Sequence, residues 1–367
     1  MSENLLYQIA LTLIPNIGSV QAKILAQHLA VEEIFKTKRS TLEKIDGIGA
    51  FRASCIVSFD DFASAEAEIE FIEKNSITPL FITDRQYPKR LTNCFDPPVL
   101  LYYRGEANLN ASRIISVIGT RSNTDYGKQI TETLTEELSQ LQVTIVSGLA
   151  YGIDAIAHRA ALRASLPTVG VLAHGLDQVY PSLHAGLVKE MTVKGGGVLT
   201  EFRSKTTPDR HNFPLRNRIV AGISDATIVI ETNLKGGSMI TAELANGYNK
   251  DVFAVPGRTI DSKSSGCNHL ISTNKAVLLT DAAQLIEIMG WDDQPAKKSS
   301  RLQREMFVEL SSNEQIVVDL LKEKEIIHID DLNFRSGLSS SAVAAAILNL
   351  ELQNLVSAQP GKLYKLL

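Results

Sequence analysis

The sequence predicts an α/β chain: a doubly wound, mostly parallel sheet with a helical module before it and a helix-and-hairpin module after it. Three observations carry this. Seven apolar runs of strand length fall between Ile114 and Thr280, helix-length segments separate most of them, and glycines or small residues stand where several runs end. Strands that are apolar along their whole length are buried on both faces, as in a parallel sheet covered by crossover helices.

Residues 1–75 read as short helices. Two turns stand out, "IPNIGSVQAKIL" (Ile14 to Leu25) and "IDGIGAFRASCI" (Ile45 to Ile56), with Gly18 and Gly49 31 residues apart. They form a weak internal repeat, in which glycine permits positive φ and turns backbone N–H groups outward. Asn16 replaces Gly47 in the first copy, and asparagine tolerates the left-handed region. Such turns seat phosphates, yet "SAEAEIEFIEK" is acidic, so DNA binding and protein contact stand equal for this module.

Residues 76–291 form the main domain. "TPLFIT" and "PVLLYYRG" are strand-like, and from Arg113 the core 113–291 runs through "IISVIG", "VTIVSG", "TVGVLA", "GVLTEF", "ATIVIE", "DVFAVPG" and "AVLLT". Helices are expected at Tyr126 to Leu141 and Ile240 to Asn249. Residues 292–310, including "DDQPAKKSSRLQRE", are polar and read as a linker. Residues 311–367 offer three helices and a hairpin around Pro360-Gly361, the order of a winged helix-turn-helix.

Composition bounds the function. The 367 residues are 44% hydrophobic and 21% charged, an ordinary globular balance. A net charge of −4 excludes a uniformly basic nucleic-acid coat, so any DNA contact is a local patch. Cys55, Cys94 and Cys267 form no C-x-x-C pair, which points to reduced thiols without a zinc site. With no basic leader and no apolar run of membrane length, the expectation is a cytoplasmic protein without a membrane, metal or cofactor.

"SVIGTRSNTDYGKQI" (Ser116 to Ile130) runs from a strand into a helix, where nucleotide-binding folds hold a phosphate. G-T-R-S-N-T is not G-x-G-x-x-G, and the next strand ends in Ser147-Gly148 where a ribose-binding acid belongs, which disfavours NAD. No P-loop motif occurs. Gly119, Ser147, Gly148, Gly236, Gly237 and Ser238 are expected to line one crevice with backbone N–H groups and hydroxyls. Several anion seats in a row suggest several phosphates.

"RSKTTPDRHNFPLRNRI" (Arg203 to Ile219) holds five cations, Arg203, Lys205, Arg210, Arg216 and Arg218, against the single acid Asp209. Phe213 sits among them. Cations for the backbone and a ring for a base suit a nucleic-acid strand.

Taken together, G-T-R (Gly119 to Arg121), S-G-x-A-x-G-I-D (Ser147 to Asp154), D-Q-x-Y-P (Asp177 to Pro181), F-P-x-R-N-R-I (Phe213 to Ile219), G-G-S-x-I-T-A (Gly236 to Ala242) and A-V-P-G (Ala254 to Gly257) resemble the DNA-processing protein A (DprA/Smf) family, in its order and over about half of the chain. The resemblance implies an extended Rossmann-like domain flanked by a sterile-alpha-motif-like or helix-hairpin-helix module and a winged helix. It implies a homodimer without catalysis that binds single-stranded DNA and hands it to a RecA-type recombinase during natural transformation. Carried over, Arg121 clamps a phosphate, with Gly119 and Ser147-Gly148 completing the pocket. Arg210 reaches the strand and Phe213 stacks on a base. Arg216, Asn217 and Arg218 belong to the best-matched motif, some of them shaping the pocket from inside. Lys235 adds a charge without an assigned role beside Gly237 and Ser238.

The competing reading is an enzyme. "GGSMITAE" also resembles the P-G-G-x-G-T-x-x-E loop of nucleoside-monophosphate phosphoribohydrolases, with Glu243 as the only acid at its end; Met239 and the missing proline depart from that loop. His158, His174 and His211 lack a nucleophile elbow, and Asp154, Asp177 and Tyr180 are expected in buried hydrogen-bonding roles. In the winged helix, Ser339 to Leu355 contains no lysine or arginine, and 311–367 holds five cations against seven acids. That predicts a protein-interaction or packing module rather than a duplex reader.

Overall fold

The computed structural model describes residues 2–291 and 310–366, except 325, 354 and 360. They fall into two compact units, 1–291 and 292–367. The expected linker lies outside the described residues apart from residue 310.

In the first unit, β1 (Thr78–Phe81), β2 (Leu100–Gly105), β3 (Ile114–Ile118), β4 (Thr144–Ser147), β5 (Thr168–Val171), β6 (Gly197–Thr200), β7 (Ala226–Val229), β8 (Asp251–Ala254) and β9 (Val277–Leu278) form one sheet. Its order is β1-β2-β6-β5-β4-β3-β7-β8-β9. From β6 to β9 every pairing is parallel, while β2 runs antiparallel to β6 and β1 to β2. Each of the seven apolar runs supplies one of the parallel strands.

Alternation along the strands fills two cores. Ile115 and Val117 pack on one face with Ile153 and Ala157 of helix Ile153–Arg163 and with Leu134 of helix Asp125–Glu137. Ile114 and Ile118 pack on the other with Ile219 of helix Asn212–Ile223 and Ala242 of helix Gly237–Gly247. Burying a full aliphatic side chain contributes about 2 kcal/mol, so these doubly covered strands hold the sheet together.

The chain winds outward from β3 through β4, β5 and β6, then returns to β7 on the other side. Between β3 and β7 the winding reverses, and at the carboxyl ends of these strands the two connections leave a crevice open.

The N-terminal helices share a core with this sheet: Ile9, Leu25, Ile34 and Ile72 pack with Tyr102, Leu172 and Val198. The two repeated turns meet through Arg52, which donates to Asn16 O at 3.3 Å and Gly47 O at 3.1 Å. Positive φ falls on Asn16, Gly47 and Gly49, but not on Gly18, which caps its helix in the extended region at φ −86°.

The second unit has helices Ser312–Glu323, Ile329–Ser336 and Ser340–Leu352 with a three-stranded sheet from Ile327–His328, Val356–Gln359 and Leu363–Leu366. Ser311 and Glu314 form a capping box that starts its first helix. Val317, Leu332, Val343, Ile347 and Val356 are its core. This is a winged helix.

Candidate nucleic-acid interface

A cleft of about 610 Å³ opens at the switch point between β3 and β7. Three loops build it. The first leaves β3 through Gly119, Thr120 and Arg121, the second leaves β4 through Gly148 and Ala150, and the third leaves β7 through Thr232 and Asn233 to Gly236 and Gly237. Helix Asn212–Ile223 closes the side with Phe213, Arg216 and Asn217, and Arg210 stands at the rim.

Each loop is pinned from behind. Thr120 N donates to Glu231 O at 2.7 Å, and Ile153 N to Thr120 O at 3.2 Å. The buried Glu231 carboxylate accepts from Thr124 N at 2.9 Å and from the Thr124 hydroxyl, while Thr124 caps the following helix. Gly152 has φ +73° and lies so close to the Thr120 and Arg121 backbone that a Cβ would collide with it. The backbone under Arg121 is therefore fixed, while its side chain is exposed.

The Arg121 guanidinium carbon lies 5.3 Å from the Phe213 ring centroid, and that of Arg216 lies 5.9 Å from it. The two arginines differ in every other respect. Arg216 is 4% exposed and donates from Nη1 to Val171 O at 2.6 Å and to Gly148 O. Burial pushes its guanidinium down to about 10, opposed by the neighbouring Asp154 carboxylate. A Cβ on Gly148 would sit 2.7 Å from the Arg216 guanidinium, so only glycine admits this arginine beneath the loop. Asp154 is buried on the cleft floor, accepts from Ala150 N at 3.3 Å, and has its acidity weakened by that burial. Arg121 makes no ion pair among the described residues.

The structure brings together Gly119, Arg121, Gly148, Arg210, Phe213, Arg216, Asn217, Gly237 and Ser238 of the expected site. Three residues fall outside it. Ser147 is fully buried and its hydroxyl donates to Val117 O at 2.6 Å, inside the sheet. Arg218 turns to the far side of its helix, where it pairs with Glu201 and donates to Asp96 O. Lys235 is exposed on the loop before Gly236 and does not line the cleft. Asp177 and Tyr180, expected to be buried, are exposed, though Asp177 accepts from Lys205 N at 3.0 Å. The helix expected near Ile240 starts at Gly237, and Gly237, Ser238 and Ile240 of its first turn line the cleft, while the Met239 amide is bonded to Gly236 O at 3.1 Å. Asn233 and Asp154 line the cleft as well; "ETN" at the end of β7 was the signal for the former.

The geometry gives the phosphoribohydrolase reading no support at Glu243. That residue is exposed, lies 3.9 Å from Lys275 and is not part of the cleft lining. His158 is buried against Thr168 at 2.7 Å and driven down to about 3 by burial, so it is a neutral core residue.

The profile of the DNA recombination-mediator protein A family matches residues 78–290. The chain belongs to the DprA/Smf family. A DprA winged helix profile matches residues 308–362. "Protein Smf" of Synechocystis is 31% identical over 98% of both chains. "DNA processing protein DprA" of Bacillus subtilis is 39% identical over 54% of this chain and 67% of its own. DprA from Streptococcus pneumoniae superposes with a TM-score of 0.66 at 30% identity, covering 77% of this chain and 97% of that one. DNA processing protein A from Helicobacter pylori, described with a unique single-stranded DNA binding mode, gives 0.53 at 33% identity over 59% and 96%. The doubly wound sheet is thus the Rossmann-like DprA fold, and the family is one of DNA processing. Among the described residues, no helix is long and apolar enough to cross a membrane.

Proposed function

We propose that this chain binds single-stranded DNA in the switch-point cleft and, as a homodimer, delivers it to a RecA-type recombinase. One observation carries the binding claim. Arg121 is an exposed cation on a fixed backbone, without a carboxylate partner among the described residues, held over the half-buried Phe213 ring at the mouth of a glycine-lined cleft. A guanidinium there meets a phosphate, the Gly119 and Gly237 loops offer backbone amides to the next, and the ring offers a face to an unpaired base. A paired base has no free face to give, so the arrangement favours single strands. The Helicobacter pylori relative, described as binding single-stranded DNA, supports this reading.

Delivery to a recombinase and action in transformation rest on family membership. In this account the protein acts without catalysis, in the cytoplasm. The test is filament nucleation: the full chain added to single strands with a RecA-type recombinase shortens the lag before filament growth. An unchanged lag overturns delivery. Sedimentation equilibrium gives twice the 40.1 kDa chain mass if the protein is a homodimer, and the chain mass itself if it is not.

A further inference from the structure

Two tyrosines with no part in the cleft stand exposed beside it. Tyr151 is 43% exposed and Tyr180 47% exposed. They border one small hollow together with Arg121, His174 and Phe213, and that hollow shares the Gly148–Ala150 wall with the cleft. The hollow is about 20 Å³, room for a water and not for a base. Its rim therefore offers ring faces to a ligand lying across it.

Buried histidines hold the Tyr180 backbone and meet the Tyr151 ring. Tyr180 N donates to His174 Nε2 at 3.2 Å, and the Tyr180 ring lies 6.2 Å from that of Phe213, tilted by 51°. Tyr151 meets His184 edge-on at 5.3 Å, and His184 is fixed by Leu149 O at 3.0 Å. His174 is 1% and His184 3% exposed. Burial lowers the His174 pKa, which keeps its ring neutral and able to accept from Tyr180 N. Among the described residues no carboxylate lines the hollow; the exposed cation Arg121 does, and the exposed Asp177 carboxylate lies close enough to act on His174.

We propose that Tyr151 and Tyr180 are a second base-stacking site, so that a single strand clamped at Arg121 continues past Phe213 and lays a further unpaired base on these rings. This rests on the single-strand reading of the cleft and extends it to a direction and a longer footprint. Large exposed aromatics in line with a cationic groove are how single-strand binders hold bases without reading sequence. Held rings also lose little freedom when a base arrives.

The test uses the full chain, oligothymidylates of increasing length, and the same oligomers with 2-aminopurine at successive positions. Tyr180→Ala and Tyr151→Ala should bind the shortest ligands like the wild type and lose about fivefold or more on longer ones. The salt slope should not change, because no phosphate contact is removed. One 2-aminopurine position should lose its quenching in Tyr180→Ala and keep it in Tyr180→Phe. Wild-type affinity at every length in both alanine variants would overturn the proposal. So would equal losses in Tyr180→Phe and Tyr180→Ala, which would assign the effect to the hydroxyl. Arg121→Ala separates the two levels: if it weakens binding while the tyrosine variants do not, this site alone fails. If it too binds like the wild type, the cleft reading fails.

Discussion

Helix Asn212–Ile223 divides two regions built from the same residue types and used in opposite ways. On one side is the cleft, where Arg121 is exposed without a carboxylate among the described residues, and Arg216 lies beneath it on backbone carbonyls. On the other is a seam of neutralised charge. There Arg218 pairs with Glu201, Arg90 grips Asp225 at 2.6 and 2.8 Å, and the Tyr248 hydroxyl bonds Asp96 at 2.5 Å. A cation marks a ligand only where the fold withholds a carboxylate from it. In the seam, charge is consumed in holding the segment around residues 90–96 to Arg218, Asp225 and Tyr248; in the cleft, it is left for a phosphate.

The strongest way to break this contrast is to remove the arginine beneath the cleft. Arg216→Ala strands the Gly148 and Val171 carbonyls and leaves Asp154 without its nearby cation. It should lower unfolding free energy by about 4 kcal/mol in urea titrations and abolish single-strand binding with it. Arg218→Ala should cost about 3 kcal/mol by leaving Glu201 buried without its cation, yet the folded protein should bind single strands like the wild type. Equal loss of binding in both variants would erase the distinction between the regions.

The seam also carries a pH signature. Glu201 Oε1 is buried without a hydrogen-bond partner, and burial pushes the carboxyl from 4.5 up to about 7, against the pull of Arg218. The folded state therefore binds this proton more tightly than the unfolded chain does. Its contribution is complete below about pH 4.5 and lost as pH rises towards about 7. Relative to Glu201→Gln, wild-type stability should fall by about 3 kcal/mol across that window and stay level above it. A difference that does not vary with pH would contradict the burial argument.

A smaller effect sharpens the cleft side. Gly237 has open space where a Cβ would go, so Gly237→Ala should leave stability within about 0.5 kcal/mol. A ligand approaching the helix N-terminus would meet that methyl group, and single-strand affinity should fall about threefold. Unchanged affinity would remove this helix from the interface.

The fold was legible because its strands are apolar throughout and their spacing leaves room for crossover helices. The three loops of the cleft were legible because glycine interrupts the pattern at Gly119, Gly148 and Gly236. Side-chain direction was not. Arg216 and Arg218 lie two positions apart, about 200° around a helix, so one motif sends one arginine under the cleft and the other into the seam. Ser147 ends its strand facing into the sheet, a consequence of pleat that residue identity does not reveal. Tyr180 was hidden for another reason. Tyrosine in a mixed motif reads as core, and only the tertiary position of the loop after β5 shows that its ring stands in solvent beside Phe213.

The central claim is that Arg121 clamps a single-stranded backbone. The direct measurement is a salt-dependent titration of single strands and duplex with wild-type protein and with Arg121→Ala. The account predicts that the wild type prefers single strands. The variant should keep its fold, bind about tenfold more weakly, and show a logarithmic salt slope shallower by about 0.7, one phosphate contact. Equal affinity for single strands and duplex, or a variant with the wild-type slope, would contradict it.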